Sequence, residues 1–270
     1  MDTAAVASLW NQNAENWTLL SRQGFDVFRD HVNTPGFLEL LPDVAGLEGL
    51  DIGCGEGTNT RTVASLGASM QGVDVAERFV AFASEREARD PRGIRFQLAS
   101  ATALPFADAS FDFATAFMSF MDLPEQGRAL AEAFRVLRPG GFFQFSICHP
   151  CFHLRRFNWI RDEEGQRIGL DVGHYFDPPW GEVEEWTFSS ATEEAKAALP
   201  EFAPFKVPRF GRTLTGWLDL IFAAGFQLER TAEPSASDEA LAACPRLAHT
   251  RLIAFSLILR CRKPGDGQGR

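Results

Sequence analysis

The segment of this chain best equipped for chemistry is Asp51-Ile52-Gly53-Cys54-Gly55-Glu56-Gly57. It follows a short apolar run, and its three glycines alternate with other residues. Glycine lets a backbone turn sharply and lets a ligand lie directly on the peptide plane. Asp74 closes a second apolar run, where one carboxylate can accept both hydroxyl protons of a ribose. A glycine turn with a later acid is common to nucleotide and dinucleotide sites. The dinucleotide pattern needs a third small residue inside the following helix. Here Thr58 occupies that place and the third glycine comes one residue early, which disfavours a nicotinamide oxidoreductase.

Other reactive groups gather after residue 147. His149 ends an apolar run and is the one candidate for a general base; the plainer alternative is a histidine bonded to loop backbone. Tyr175 is the single tyrosine, against 25 phenylalanines. Its hydroxyl suits a substrate contact or a packed ring with a wet edge. Cys148-His149-Pro150-Cys151 has redox spacing, but a redox pair needs its first thiolate at a helix N-terminus. This one follows a strand, so structural cysteines are expected. His153 adds a third zinc-type ligand without a second close pair, so no metal is expected.

Alternating elements must position these groups. Short apolar runs at 49–52, 69–73, 94–98, 111–116 and 142–147 read as strands. Between them, 60–66, 77–89 and 125–137 read as helices, with Gly67 and the Arg138-Pro139-Gly140-Gly141 stretch as stops. Strands alternating with helices imply βαβ units and a mostly parallel sheet covered on both faces. Residues 157–161 and 167–172 read as a hairpin around Asp162-Glu163-Glu164-Gly165. A helix at 215–224 and strands at 226–230 and 252–260 complete the pattern. Near the start, Trp10, Ala14 and Trp17 share one helical face.

The chain has 270 residues, 45% of them hydrophobic, a formal net charge of -10 and a pI of about 5.0. An acidic surface repels phosphate backbones, so nucleic acid is not the expected partner. No secretory signal and no membrane-length apolar run is visible. Five cysteines, an odd number, suit reduced thiols in a cytoplasm. The expected divisions are an N-terminal helical lid at 1–45, a cofactor-binding core at 46–150, an inserted cap at 151–211, a C-terminal part of the core at 212–262 and a tail at 263–270.

The G-x-G-x-G spacing after Asp51 resembles the first motif of class I S-adenosylmethionine-dependent methyltransferases. Further segments agree in order: Gly72-Val73-Asp74-Val75-Ala76, the stretch Ala99-Ser100-Ala101-Thr102-Ala103-Leu104-Pro105-Phe106, and Arg135-Val136-Leu137-Arg138-Pro139-Gly140-Gly141. The likeness is good over residues 45 to 150 and loose over 210 to 262. It implies a Rossmann-like three-layer sandwich whose seven strands run 3-2-1-4-5-7-6, the seventh antiparallel. It also implies S-adenosylmethionine as cofactor and S-adenosylhomocysteine as product. The implied cofactor contacts are Asp51, Gly53, Cys54, Gly55, Gly57, Asp74, Val75, Ser100, Ala101, Thr102 and Met118. Ser100 departs from the family, which usually has aspartate there for the adenine amino group. A hydroxyl accepts that bond more weakly, leaving more to the Ala101 backbone.

The insertion leaves the sheet above the cofactor crevice, so its aromatic residues are expected to form an apolar ceiling over a small acceptor. Trp17, Phe152, Tyr175 and Trp180 are the candidate substrate contacts, and the acceptor is expected to be an apolar or aromatic metabolite methylated on oxygen or nitrogen. Two alternatives stand. Asp177-Pro178-Pro179-Trp180 is similar to the catalytic tetrapeptide of nucleic-acid amino-methyltransferases, although it lies in the insertion and not after the fourth strand. A non-catalytic cofactor-binding regulator is the other. The acceptor, the methylated atom and the oligomeric state do not follow from the sequence.

Overall fold

The computed structural model describes residues 1–188 and 204–265. A long helix α1 (Thr3–Arg22) opens the chain, capped by Asp2, whose carboxylate accepts from the Ala5 N–H at 2.9 Å. A π-helical turn (Arg29–Asn33) and helix α2 (Thr34–Leu40) lead into the sheet. There follow β1 (Glu48–Ile52), α3 (Thr58–Ala64), β2 (Ser69–Asp74), α4 (Glu77–Arg89), β3 (Arg95–Leu98), β4 (Phe111–Phe117), a 3-10 turn (Phe120–Asp122), α5 (Gln126–Val136) and β5 (Leu137–Cys148).

The insertion is two hairpins: β6 (Arg156–Arg161) with β7 (Arg167–Gly173), and β8 (Trp180–Trp186) with β9 (Phe205–Phe210). Then come α6 (Leu214–Ala223), β10 (Gln227–Ala232), α7 (Asp238–Ala243), a 3-10 helix (Pro245–Arg251) and β11 (Ser256–Arg262).

The main sheet runs β3-β2-β1-β4-β5-β11-β10. The first five strands are mutually parallel; β11 is antiparallel to both β5 and β10. This is the expected order, with β11 and β10 as the seventh and sixth strands. Helices cover both faces. On one, Leu130 of α5 and Trp217 of α6 pack with Leu50, Ile52, Phe143 and Phe145. On the other, Phe37 of α2 and Val63 of α3 pack with Met70, Phe113 and Ile258. The buried positions of α5, Gln126, Ala129, Leu130, Ala133 and Val136, fall on one stripe at helical spacing. Among the described residues no helix is long and apolar enough to cross a membrane.

The structure corrects several boundaries. Arg138-Pro139-Gly140-Gly141 does end α5, but it is also an extended part of β5 and not a gap before it. The Gly140 N–H donates to the Lys263 carbonyl and the Lys263 N–H to the Gly141 carbonyl. The extra residues are absorbed where Phe111 pairs with Leu137 but Phe113 pairs with Phe142. The last strand begins at Ser256 and not at Leu252, because Pro245 starts a short helix that buries Leu247 against Val32 and Ala236. The hairpin β8–β9 was absent from the sequence reading, while β6–β7 stands where expected. The expected cap and tail extend over 189–203 and 266–270, which lie outside the described residues.

Candidate active site

The glycine turn is tied to the end of β2. The N–H groups of Gly53 and Cys54 both donate to the Val73 carbonyl, at 2.8 and 2.9 Å. The Asp74 carboxylate accepts from the Gly55 N–H at 2.8 Å and the Ala76 N–H at 2.9 Å. Burial pushes its pKa up against those hydrogen bonds. Gly53, Gly55 and Gly57 all have positive φ (77°, 54° and 86°). They differ in surroundings. A Cβ on Gly53 would lie 2.5 Å from the Ser119 Cβ, and one on Gly57 2.9 Å from the Phe96 ring. A Cβ on Gly55 would meet nothing within 4 Å.

Asp51 lies beneath this loop, 1% exposed. Thr60 and Thr115 donate to its two oxygens at 2.6 and 3.0 Å. Burial nevertheless raises its pKa to about 6. Glu56 is also buried, and Arg22, Arg86 and Arg29 approach it at 2.9, 3.6 and 3.9 Å. Arg22 belongs to α1 and Arg29 to the π-helical turn, so Glu56 fastens the N-terminal segment to the glycine loop. Sequence reading gave Glu56 no role, because its partners lie 27 or more residues away along the chain.

A cavity of about 370 Å³ opens over these groups. Its floor is Asp51, Gly53, Cys54, Gly55, Asp74, Val75, Ala101 and Met118. Met118 has a φ of 52°, rare for a residue with a side chain. Its N–H bonds to the Ser146 carbonyl and hydroxyl, each at 3.1 Å, which holds it in that turn. Trp10 and Trp17 of α1 and Trp186 of β8 form an aromatic wall, with Phe28 and Phe255. Trp17 has ring centroids of Trp10, Trp186, Phe188 and Phe205 within 5.4 Å. The Asn13 side chain clasps the Lys206 backbone with two hydrogen bonds, joining α1 to β9.

Two buried acceptor oxygens on the cavity wall lack a hydrogen-bond partner: Asn33 Oδ1 and Asp122 Oδ1. Burial pushes the Asp122 pKa well up. Cys148, His153, Glu184 and Arg209 stand on the same wall. None of these six was singled out as an acceptor-site residue from the sequence.

Several expected residues are engaged elsewhere. His149 is 4% exposed, its Nε2 sits 2.7 Å from Glu233, and its Nδ1 accepts from the Cys151 N–H. Both nitrogens are thus engaged, one by Glu233 and one by the loop, and His149 is not among the residues lining the cavity. Phe152 packs on that ring at 4.8 Å. The Tyr175 hydroxyl accepts from the Leu214 N–H at 2.9 Å, at the start of α6. Trp180 is 48% exposed, edge-on to Phe210 and under the Arg212 guanidinium. Of the four expected substrate contacts only Trp17 lines the cavity. The Ser100 hydroxyl is shared with Thr102 at 2.8 Å in a local turn, and Gly57 caps α3; Ala99 and Ala101 line the cavity in their place. Asp177 bonds Arg155 through its carbonyl, and its tetrapeptide lies off the cavity lining.

The sheet order, the glycine turn at its switch point and the acid after β2 define the class I methyltransferase fold. Residues 50–145 match the family model described as a methyltransferase domain. The chain is 37% identical over 119 residues to a demethylmenaquinone methyltransferase of Tropheryma whipplei, covering 44% of this chain and 48% of that protein. It is 39% identical over 106 residues to 27-O-demethylrifamycin SV methyltransferase of Amycolatopsis mediterranei, covering 38% and 39%. The chain thus spans about half the length of the first curated relative and less of the second. An S-adenosylmethionine-dependent methyltransferase structure from Mesorhizobium loti superposes with a TM-score of 0.67 at 27% identity, over 84% of this chain and 96% of that one. Residues 50–145 therefore form a methyltransferase domain, and the fold around them is that of the class I S-adenosylmethionine-dependent methyltransferases.

Proposed function

We propose that this protein transfers the methyl group of S-adenosylmethionine to oxygen or nitrogen of a small, largely apolar acceptor. The observation that carries the reading is the Asp74 carboxylate at the cavity floor. Both its oxygens are already oriented by the Gly55 and Ala76 N–H groups, and each keeps a lone pair for a ribose hydroxyl. The open space at Gly55 fits the same group, since a side chain there would fill the place where a ligand rests on the peptide plane.

Asp51, Gly53, Cys54, Gly55, Asp74, Val75, Ala101 and Met118 are the residues assigned to the cofactor. Ser100, Thr102 and Gly57 act behind them by shaping the turns. S-adenosylmethionine supplies a methyl group on a sulfonium, whose departure leaves a neutral thioether. The chain's own work is to align the acceptor and keep water out. Residues 1–45 serve as the lid, and the insertion at 151–211 serves as the acceptor cap, through Trp17, Trp186 and Val207. The aromatic wall favours a ring-bearing or isoprenoid-like acceptor over a nucleic acid, and the odd number of thiols suits a cytoplasmic setting.

The test is incubation with methyl-labelled S-adenosylmethionine and a cell metabolite extract, followed by identification of the labelled product. Label in a small organic fraction is expected. Label confined to nucleic acid, or none in any fraction, would refute the assignment.

A further inference from the structure

The cavity lining also carries a polar group of a kind that an apolar acceptor pocket does not need. Cys148 ends β5, and His153 lies in the loop after it; both line the cavity, and their charges act on each other. The other side of His153 meets Glu184 of β8, with Nε2 3.6 Å from Oε2. Arg209 of β9 holds Glu184 at 2.8 Å. Asp122, from the turn after β4, completes the cluster with an unpartnered Oδ1 and 5% exposure. All five line the cavity. They come from β5, β8, β9, one loop and one turn, so it is the fold that brings them together. Among the described residues no group of three His, Cys, Asp or Glu side chains has the geometry to hold a metal.

We propose that Cys148 and His153, steadied by Glu184, are the proton-accepting pair for the hydroxyl or amine of the methyl acceptor. This rests on the methyltransferase reading and assigns its acceptor end. The pair together holds one proton in its resting form. The acceptor's O–H or N–H bond breaks as its lone pair forms the new bond to the methyl carbon. The sulfonium carbon–sulfur bond breaks with its electrons remaining on sulfur. The released proton goes to the pair, leaving a neutral thiol beside an imidazolium held by Glu184.

The electrostatics agree. Burial works against a thiolate at Cys148, but the charges of His153 and Arg209 outweigh it and bring its pKa down to about 7. Burial likewise opposes the His153 cation, yet Cys148 turns the balance and raises its pKa. Glu184 is held below its usual range, first by the His153 imidazole 3.6 Å away. A proton acceptor poised near the working pH is the effective one. The two groups titrate as a unit, so the proton count belongs to the pair.

Iodoacetamide is the probe that needs no acceptor. Alkylation of Cys148, read by peptide mass across pH, is expected to level off above a midpoint near 7. At pH 7 it should run at least ~10-fold faster than at Cys54 or Cys261, whose thiols burial pushes up. His153→Gln should move the Cys148 midpoint upward by about one unit or more. Cys148→Ser and His153→Gln should bind S-adenosylhomocysteine within about threefold of wild type by calorimetry, yet transfer methyl roughly 10²-fold more slowly, with the pH limb near 7 lost. A Cys148 midpoint unmoved by His153→Gln would overturn the pair. So would wild-type pH profiles in both variants. A fast, His153-dependent Cys148 in a protein that binds no S-adenosylhomocysteine would instead bring down the methyltransferase reading, and the role of the pair with it.

Discussion

The Trp17 ring of α1 lies 5.4 Å from the Trp186 ring of β8, their planes inclined at 31°. This contact joins a segment that precedes the sheet to one inserted after its fifth strand, and both rings line the cavity. Helix α1 and strand β8 are therefore joined in one aromatic assembly. Aromatic pairs of this kind add about 0.5–1.5 kcal/mol beyond their burial.

Trp17→Ala removes the centre of that assembly while leaving the glycine loop intact. We expect S-adenosylhomocysteine affinity to fall roughly tenfold, about 1.4 kcal/mol. Amide exchange along α1 should quicken at the same time. Unchanged exchange over residues 3–22 would show that α1 is held by other contacts, such as Asn13 with Lys206.

Asp74→Asn keeps the side-chain volume but replaces one acceptor oxygen with a donor. One group must then face either a backbone N–H or the ribose with the wrong polarity. Two charge-assisted hydrogen bonds are lost or weakened, at about 1.5–3 kcal/mol each. Calorimetry with S-adenosylhomocysteine should show a loss of roughly 10²-fold or more. Equal affinity in the variant would displace the ribose from this carboxylate.

The glycines of the loop separate folding from binding. Gly55→Ala meets open space and suffers only the left-handed φ, so the protein should fold with a loss of about 1 kcal/mol while its cofactor affinity collapses. Gly53→Ala drives a methyl into Ser119 and should lower the melting temperature far more. Equal melting temperatures in the two variants would contradict the geometry.

Asp51 gives a pH signature in the ligand-free protein. Its pKa rises from 3.8 unfolded to about 6 folded. Below about pH 4 the group is neutral in both states. Between pH 4 and 6 the folded protein keeps the proton that the unfolded chain releases, so stability falls as pH rises. The loss is on the order of 2–3 kcal/mol and is complete above about pH 6. Asp51→Asn removes this contribution. Urea unfolding should show the stability of the variant gaining on wild type from pH 4 to 6 and holding a constant difference above. Parallel curves throughout would exclude the assignment.

The glycine-loop side of the cavity was legible in the sequence because it is local. Asp51 to Gly57 is one turn, and Asp74 and Ala101 stand at strand ends that hydrophobic runs announce. The side of the cavity built by β8 and β9 was not legible. Glu184, Trp186, Val207 and Arg209 sit on β8 and β9, whose pairing joins Trp186 to Phe205 with no short turn between them. Pairing at that separation leaves no periodic trace. His149 and His153 present the same side chain four residues apart, and only the path of the loop decides that the first meets Glu233 and the second faces the cavity. Tyr175 drew notice for its rarity, and its hydroxyl proved to serve the first turn of α6.

The placement of β11 between β5 and β10 bears on how the chain comes together during synthesis. Seven residue pairs from Ser256–Cys148 to Arg262–Phe142 close the β5 edge. A nascent chain still short of residue 256 carries that edge bare, with Ile147, Phe145 and Phe143 along it, ready to pair with another chain. Translation must therefore pass residue 256 before this edge of β5 is sealed, and a chain stopped short of it is expected to aggregate although every glycine-loop residue has already been made.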